Sequence, residues 1–278
     1  MRVFKEIQPL RAYLKQIRAS AKSIGFVPTM GALHSGHLSL IQASKKDNPI
    51  TVSSIYVNPA QFNNPKDLAK YPRTLAEDLA MLENEGCEVV FAPSNEEMYA
   101  TTPTLRFDFG GLDQILEGQY RPGHFSGVAL VVAKLFNIVQ PQVAYFGQKD
   151  FQQVKIIERL VEELKFDLHL RCMPIVREPD GLAMSSRNKR LNTEERKQAP
   201  LIYQSLVQTQ QRLQQGQSMS QIRNDIAHQM AQAGIRLEYL ELVETQNLSQ
   251  LDHVVPKSVL LVAAYVGEVR LIDNLMLE

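Results

Sequence analysis

The sequence predicts an α/β protein with a doubly wound parallel sheet in its N-terminal part and a smaller α+β domain with an antiparallel sheet after it. In the N-terminal part, short apolar β-type runs alternate with amphipathic stretches, an order that produces parallel strands covered by helices on both faces. After about Val176 the order changes, because helices come first and adjacent strands follow. We therefore predict a Rossmann-like domain at 1–176 and a C-terminal domain at 177–278.

The elements of the N-terminal domain alternate regularly along the chain. Strands are predicted where β-branched and aromatic residues cluster, at 23–28, 50–58, 87–93, 142–147 and 167–176. Helices are predicted between them, at 36–46, 74–86, 125–139 and 150–166. Gly86 closes the second of these helices. In the last one, apolar residues recur at helical spacing: Phe151, Val154, Ile157, Val161 and Leu164.

The C-terminal domain begins with glutamine-rich helices predicted at 193–216 and 218–234. A strand at 236–244 follows, and then a pair of strands at 258–266 and 268–273 joined at a Gly-Glu turn. Near the junction of the domains, the loop at 178–188 concentrates Pro, Gly, Ser and Asn. Its position suits a lid, and we predict that the C-terminal domain acts as one.

Composition excludes several classes of function. Lys and Arg total 30 and Asp and Glu total 30, and this balance argues against a nucleic-acid partner, because such binding depends on neutralising phosphates. No apolar run approaches the ~20 residues that span a bilayer, and the N-terminus lacks the apolar core of a signal peptide. Cys87 and Cys172 are far apart and are interpreted as buried thiols in a reducing compartment. We therefore predict a cytoplasmic protein without a membrane partner.

The most informative stretch is FVPTMGALHSGH, which joins the first predicted strand to the first predicted helix and contains His34 and His37. In an open α/β sheet this turn lies at the carboxyl edge, where ligands bind. The helix start offers free N–H groups and the positive end of the dipole to a phosphate. Gly31 and Gly36 let a nucleotide approach the backbone, and two imidazoles can donate hydrogen bonds to phosphoryl oxygens as charge develops.

The histidine pair has two other interpretations. Capping or packing would explain a single histidine, but it explains less readily a pair that flanks a glycine. A structural zinc site needs further ligands, and neither a cysteine nor a carboxylate at ligand spacing lies near the pair. We therefore adopt phosphate binding as the working hypothesis and predict no metal bound by the protein alone.

Polar residues follow two further strands at the same edge of the predicted sheet. The second strand is followed by Asn58, Gln61 and Phe62, and a later strand by Gly147, Lys149, Asp150 and Gln153. Lys149 can place a cation against a phosphate, and Asp150 can hold a ribose hydroxyl or cap its helix. Gln61 and Gln153 each lie near a phenylalanine, which suggests a small polar substrate in a partly apolar pocket.

The loop at 183–188, AMSSRN, offers a second group of phosphate-binding side chains. Ser185 and Ser186 have adaptable hydroxyls, and Arg187 can donate two parallel hydrogen bonds to an anion. The three residues could therefore close on a triphosphate.

Taken with their order along the chain, these segments carry a resemblance to a known family. PTMGALHSGHLSLI resembles the ATP-binding His-x-Gly-His signature of the pantoate–β-alanine ligases, which belong to the nucleotidyltransferase superfamily and are related to class I aminoacyl-tRNA synthetases. The segments at 53–78, 121–128, 145–153 and 177–188 are similar to later family blocks in the expected order. The Met-Ser-Ser-Arg stretch stands where the synthetases carry a lysine-containing mobile loop.

The resemblance implies a reaction in two steps on the route to coenzyme A. The carboxylate of pantoate attacks the α-phosphate of ATP, which gives pantoyl adenylate and pyrophosphate; the amine of β-alanine then displaces AMP and forms pantothenate. Mg²⁺ would accompany ATP, with Glu77 and Asp78 as candidate carboxylates, and the family is typically a cytoplasmic homodimer. Such chemistry needs positioning and charge stabilisation rather than a covalent nucleophile.

The resemblance also assigns residues to each role. Catalysis would rest on His34, His37, Lys149 and Arg187. Pantoate would be held by Gln61 and Gln153. ATP would be bound by Met30, Gly31, Ala32, Leu33, His34, Ser35, Gly36, His37, Gly147, Gln148, Lys149, Asp150, Val176, Met184, Ser185, Ser186 and Arg187.

Two alternative functions are compatible with the same motifs. Another His-x-Gly-His nucleotidyltransferase would join a nucleotide permanently to a phosphorylated acceptor, which would require more Arg and Lys than the two glutamines provide. The second alternative is a non-catalytic nucleotide-binding module or an RNA-binding relative of the synthetases. Zero net charge and the lack of a basic appended domain weigh against RNA binding, and a pyrophosphate-release assay would separate the remaining functions.

Overall fold

The computed structural model describes residues 1–277 as two compact units. The first comprises residues 1–147 and 153–173, and the second comprises 148–152 and the chain from 174 onward. The chain thus contributes five residues, 148–152, to the second unit before it completes the first.

The first unit is built on a six-stranded, fully parallel sheet. Its strands are β1 (Arg2–Phe4), β2 (Ile24–Thr29), β3 (Ile50–Ile55), β4 (Val89–Phe91), β5 (Val143–Gly147) and β6 (His169–Met173). They are arranged in the order β1-β4-β3-β2-β5-β6. The chain therefore builds outward from β2 in one direction with β3 and in the other with β5, as expected of a doubly wound sheet.

Helices cover both faces of this sheet because successive strand residues point to opposite sides. The helices are α1 (Ile7–Ala19), α2 (Ser35–Asp47), α3 (Pro65–Lys70), α4 (Leu75–Asn84), α5 (Asn95–Met98), α6 (Glu117–Tyr120), α7 (His124–Val139) and α8 (Phe151–Leu164). Phe26 of β2 packs in one apolar cluster with α1, α7 and α8, whereas its neighbour Val27 packs in another with α2 and α4. The predicted parallel sheet with two covered faces is confirmed.

The second unit contains helices followed by an antiparallel sheet. Its elements are α9 (Thr193–Gln198), α10 (Leu201–Gln214), α11 (Met219–Gln232), β7 (Ile235–Glu244), β8 (Ser258–Val266) and β9 (Val269–Leu277). The strands pair in the order β7-β8-β9, and the apolar faces of α10 and α11 share a core with them. The predicted α+β fold class of this part is confirmed.

Several details differ from the sequence prediction. The single helix expected at 193–216 is two helices, because Pro200 has no N–H to continue the helical hydrogen bonds and α10 starts after it. Neither β1 nor α1 was predicted, and β9 extends to Leu277. Cys87 is buried as expected, but Cys172 is exposed on the edge strand β6. Leu164, at the end of α8, is also exposed.

The helices at residues 1–277 include none that is both long enough and apolar enough to span a lipid bilayer.

Candidate active site

The turn that carries the histidine pair lies where the strand order of the parallel sheet reverses. It follows β2, whose neighbours are β3 on one side and β5 on the other, and it ends where α2 begins at Ser35. Ligands of open α/β sheets bind in the crevice outside the carboxyl ends of the strands at such a point. The geometry of the sheet therefore places the turn where a nucleotide site is expected.

His34 is the N-cap of α2, and its ring approaches the ring of His37. Its Nδ1 accepts a hydrogen bond from the Gly36 N–H at 3.2 Å, and its carbonyl oxygen accepts one from the His37 N–H at 2.8 Å. Because an accepting Nδ1 carries no proton, a neutral His34 ring holds its proton on Nε2. The two ring centroids are 4.1 Å apart. Capping and ligand binding are compatible in His34, since the cap uses only one ring nitrogen.

Asp78 on α4 holds the turn in an unusual backbone conformation. Its carboxylate, 2 % exposed, accepts hydrogen bonds from the Ala32 N–H at 3.0 Å and the Leu33 N–H at 2.8 Å. Ala32 has a φ of 51° and Gly31 a φ of 78°, and a β-carbon on Gly31 would lie 2.8 Å from the carboxylate. The Thr74 hydroxyl donates a further hydrogen bond to Asp78 at 3.2 Å. Asp78 thus fixes the turn from a distant helix, a role that the sequence did not reveal.

Gln61 connects the segment after β3 to the segment after β2. Its side chain, 7 % exposed, donates a hydrogen bond to the Met30 sulfur at 3.1 Å and accepts one from Asn58 Nδ2 at 3.1 Å. The Tyr99 hydroxyl donates to Asn58 at 2.9 Å, and His124 Nδ1 donates to the Gln61 carbonyl oxygen at 2.8 Å. Burial raises the pKa of Tyr99 to about 12, so its hydroxyl remains a donor at neutral pH. The amide of Gln61 is therefore held in place by a buried polar network.

Gln153, the second glutamine predicted to hold pantoate, lies in the first turn of α8. Its side chain is half-buried in the first unit, the unit that also contains Gln61.

In the second unit, residues 148–150 form a short turn against β9. Asn274 Nδ2 donates hydrogen bonds to the carbonyl oxygens of Gln148 at 2.9 Å and Lys149 at 3.0 Å, and its Oδ1 accepts one from Gln148 Nε2 at 3.0 Å. Lys149 Nζ lies 3.3 Å from the carboxylate of Asp150. The backbone of Lys149 is thus fixed, while its side chain remains partly exposed next to a carboxylate.

The segment at 176–190 is more regular than the predicted loop. The N–H of Met184 donates to the Val176 carbonyl at 3.0 Å, which closes a tight hairpin. A 3₁₀ helix from Ser186 follows, and the Ser185 hydroxyl caps it by accepting the Arg187 N–H at 3.2 Å. The hydroxyls and the guanidinium proposed to bind a triphosphate therefore lie on one short, hydrogen-bonded segment.

Arg177 anchors this hairpin to β9. Its guanidinium donates two hydrogen bonds to the Asp273 carboxylate, at 2.6 and 3.0 Å, and a third to the Gly181 carbonyl at 3.0 Å. It also stacks on the Tyr203 ring at 3.8 Å. Burial raises the pKa of the Asp273 carboxyl, while the Arg177 charge acts in the opposite direction. None of Arg177, Asp273 and Asn274 was predicted as part of the site.

The chain at 1–277 contains no group of three or more His, Cys, Asp and Glu side chains that could hold a metal ion. Glu77 is exposed, and both oxygens of Asp78 accept hydrogen bonds from the turn. Glu77 and Asp78 therefore do not form a protein site for Mg²⁺. In nucleotide enzymes this ion is commonly held largely by the substrate phosphates and water.

Comparisons with known proteins agree over the whole chain. The family model described as pantoate-beta-alanine ligase matches residues 2–276. Among curated relatives, the pantothenate synthetase of Thermosipho africanus is 45% identical over 278 residues, 100% of both chains. That of Acinetobacter baumannii is 48% identical and covers 99% of this chain and 98% of its own.

Solved structures lead to the same conclusion. Pantothenate synthetase from Thermus thermophilus superposes with a TM-score of 0.92 at 42% identity and covers 99% of both chains. Pantoate-beta-alanine ligase from Francisella tularensis, solved in complex with Beta-gamma ATP and Beta-alanine, has a TM-score of 0.86 at 35% identity and covers 99% of this chain and 97% of that one. The chain described here belongs to the pantoate–β-alanine ligase family.

Proposed function

We propose that this chain joins pantoate to β-alanine at the expense of ATP by way of a pantoyl adenylate. Membership of the family supports the overall reaction, and the relative from Francisella tularensis binds an ATP compound and β-alanine. The observation in this chain that carries the proposal is the pair of imidazoles, 4.1 Å apart, at the start of α2 and the carboxyl edge of the sheet. That is where developing phosphoryl charge needs hydrogen-bond donors.

In the first step, an oxygen of the pantoate carboxylate forms a bond to the α-phosphorus of ATP, and the bond to pyrophosphate breaks. His34 would donate from Nε2, since its Nδ1 is engaged by Gly36, and His37 would donate from the first turn of α2. Lys149 and Arg187 would neutralise the phosphate charges. No protein nucleophile is required, because the acyl adenylate is itself the activated intermediate.

Pantoate would be held by Gln61 and Gln153. The amide of Gln61 is already oriented by Asn58 and by the Met30 sulfur, a weak acceptor that a stronger one on the substrate would readily replace. A neutral amide suits a hydroxy acid, because it can donate to the carboxylate and accept from a hydroxyl. In the second step, the β-alanine amine attacks the acyl carbon and AMP leaves.

The residues assigned to ATP are the turn at 30–37, the turn at 147–150, Val176 and the segment at 184–187.

We further propose that Mg²⁺ arrives bound to ATP, that residues 1–176 form the catalytic domain and that residues 177–278 act as a lid. The lid proposal is tested by hydrogen exchange at 181–188, which should slow when ATP saturates the enzyme. Unchanged exchange would contradict it.

A cytoplasmic location and a homodimer complete the proposal. The two free cysteines, Cys87 and Cys172, fit a reducing compartment. The homodimer is implied by the family resemblance, and light scattering of the purified protein at micromolar concentration tests it.

The function is tested by omitting each substrate in turn. With ATP and pantoate alone, we expect exchange of labelled pyrophosphate into ATP; with β-alanine added, we expect pantothenate and AMP in equal amounts. A nucleotidyltransferase that retains AMP or CMP in its product would show no such AMP release. A non-catalytic module would bind ATP without pyrophosphate exchange. Either result would contradict the proposal.

A further inference from the structure

Two adjacent polar residues interrupt the apolar pattern of β9. Asp273 is 4% exposed and Asn274 is 1% exposed. Burying a carboxylate or an amide costs free energy unless hydrogen bonds compensate, so each needs well-placed partners. The partners that the fold supplies are far away in the sequence.

The side-chain partners of Asn274 are concentrated on one turn. Its side chain makes hydrogen bonds with the Gln148 carbonyl, the Lys149 carbonyl and the Gln148 amide, between 2.9 and 3.0 Å. These bonds fix the position of the Lys149 α-carbon relative to β9 without touching the Lys149 ammonium group.

The partners of Asp273 lead to the other segment. The Asp273 carboxylate binds Arg177 through two hydrogen bonds, a geometry that fixes the orientation of the guanidinium as well as its position. Arg177 in turn donates to the Gly181 carbonyl across the hairpin and stacks on Tyr203. The hairpin leads directly into Ser185 and Arg187.

We propose that Asp273 and Asn274 are positioning residues for nucleotide binding. Together they hold the Lys149 turn and the hairpin that leads to Arg187 at a fixed position relative to each other. The inference rests on the proposed function, which assigns both segments to ATP. Because the two residues are neighbours on one strand, neither segment can shift against the other unless a buried hydrogen bond is broken. Geometry held in this way fixes the spacing of the backbone segments that bear Lys149 and Arg187 before ATP arrives.

The test compares Asn274→Ala, Asp273→Asn and a control, Thr209→Val. Thr209 is a fully buried polar residue of the second unit whose hydroxyl donates to the Ser205 carbonyl within α10, so this bond involves neither segment. We expect Asn274→Ala to reduce kcat/KM for ATP on the order of 10²-fold, the scale of a misplacement of about 1 Å. We expect Asp273→Asn to reduce it about tenfold, because part of the Arg177 pair survives. KM for pantoate should change less than about twofold, since Gln61 and Gln153 belong to the first unit and the side-chain hydrogen bonds of Asn274 end at Gln148 and Lys149.

A double-mutant cycle separates positioning from general stability. If Asn274 acts through Lys149, then Asn274→Ala added to Lys149→Ala should cost much less than Asn274→Ala alone. Thr209→Val should lower the Tm and leave kcat/KM for ATP unchanged. Full additivity in the cycle, or a loss of Tm in Asn274→Ala with wild-type kcat/KM for ATP, would overturn the proposal.

A second measurement, which does not depend on catalysis, keeps the proposal testable if Asn274→Ala folds poorly or if the proposed function is wrong. The increase in Tm caused by saturating ATP is measured for wild type, Asp273→Asn and Thr209→Val. We expect the increase to shrink in Asp273→Asn and to persist in Thr209→Val. Equal increases in all three proteins would overturn the inference even if the wild type makes pantothenate. A wild type that is stabilised by ATP but makes no pantothenate would contradict the proposed function alone.

Discussion

The Leu33 N–H donates a hydrogen bond to the Asp78 carboxylate at 2.8 Å, across 45 residues of sequence. This contact ties the turn that carries the histidine pair to the buried side of α4. The turn is therefore shaped by a residue that would not be found by inspecting the turn itself.

The first prediction concerns Asp78→Asn. An asparagine can accept from only one of the Ala32 and Leu33 N–H groups without turning its own N–H₂ towards the other. Leaving one buried donor unsatisfied should cost about 1–3 kcal/mol in the free energy of unfolding, measured with urea. KM for ATP should rise as well. Glu83→Gln, at an exposed site on the same helix, should change neither quantity. A stability loss with unchanged ATP kinetics would show that the turn tolerates the change.

The second prediction separates the two half-reactions in His37→Ala. Loss of one positioned donor to a transition state typically costs 10²–10³ in rate, about 2.7–4 kcal/mol. We expect pyrophosphate exchange dependent on pantoate to fall by that amount. Aminolysis of supplied pantoyl adenylate should remain largely intact, because its acyl group is already activated. His253→Ala, at an exposed site in the second unit, is the control. Normal exchange together with a much lower Tm would make His37 a structural residue.

The third prediction concerns Gln61→Ala in the acceptor pocket. Removing the amide leaves Asn58 Nδ2 with one fewer acceptor and deprives pantoate of its partner. Either loss costs about 1–3 kcal/mol, so KM for pantoate should rise roughly tenfold or more, while KM for ATP changes little. Gln204→Ala on the exposed face of α10 provides the control. Equal losses for both substrates in steady-state kinetics would argue against a pantoate-specific role.

The fourth prediction concerns thiol reactivity. Burial raises the pKa of Cys87 to about 12, and only the thiolate reacts. Iodoacetamide at pH 8 should therefore modify the exposed Cys172 first and Cys87 only after unfolding. Mass spectrometry of the labelled protein reports both sites. Rapid labelling of Cys87 in the native protein would contradict the buried position.

The raised pKa of Cys87 also predicts a direction for stability against pH. The unfolded thiol ionises near pH ~8.5, whereas the folded thiol keeps its proton up to about pH 12. Its contribution to stability is thus complete below ~8.5 and is lost as the pH rises towards about 12. In Cys87→Ala, the free energy of unfolding should fall less steeply over this range. An identical slope in both proteins would count against the prediction.

The sequence predicted the parallel sheet well because burial on both faces makes several of its strands continuously apolar, as in β4 and β5. The His34–His37 turn was found because a strand, glycines and a helix start are all local patterns. In contrast, β1 has only three residues, which is too short for any periodicity to be visible.

The anchors of the site escaped prediction for a different reason. Asp78 reaches Ala32 across 46 residues and Arg177 reaches Asp273 across 96, and no local pattern encodes such pairings. The only local signal was the adjacent pair Asp273 and Asn274 within an otherwise mainly apolar strand. Polar neighbours in a buried strand need partners, but the sequence does not say which ones.

The five residues at 148–152 belong to the second unit although the chain on both sides of them belongs to the first, so the boundary between the units is not a single cut in the sequence. A C-terminal fragment that begins at residue 177 would contain β9 but lack residues 148 and 149. The Asn274 side-chain amide would then lose the two backbone carbonyls to which it donates. The second unit is therefore not encoded by one continuous stretch of the chain. A chimera joined at 176/177 would keep the two carbonyl bonds, since any residue supplies a backbone carbonyl, but it would keep the bond from Gln148 Nε2 to Asn274 only if residue 148 remained glutamine.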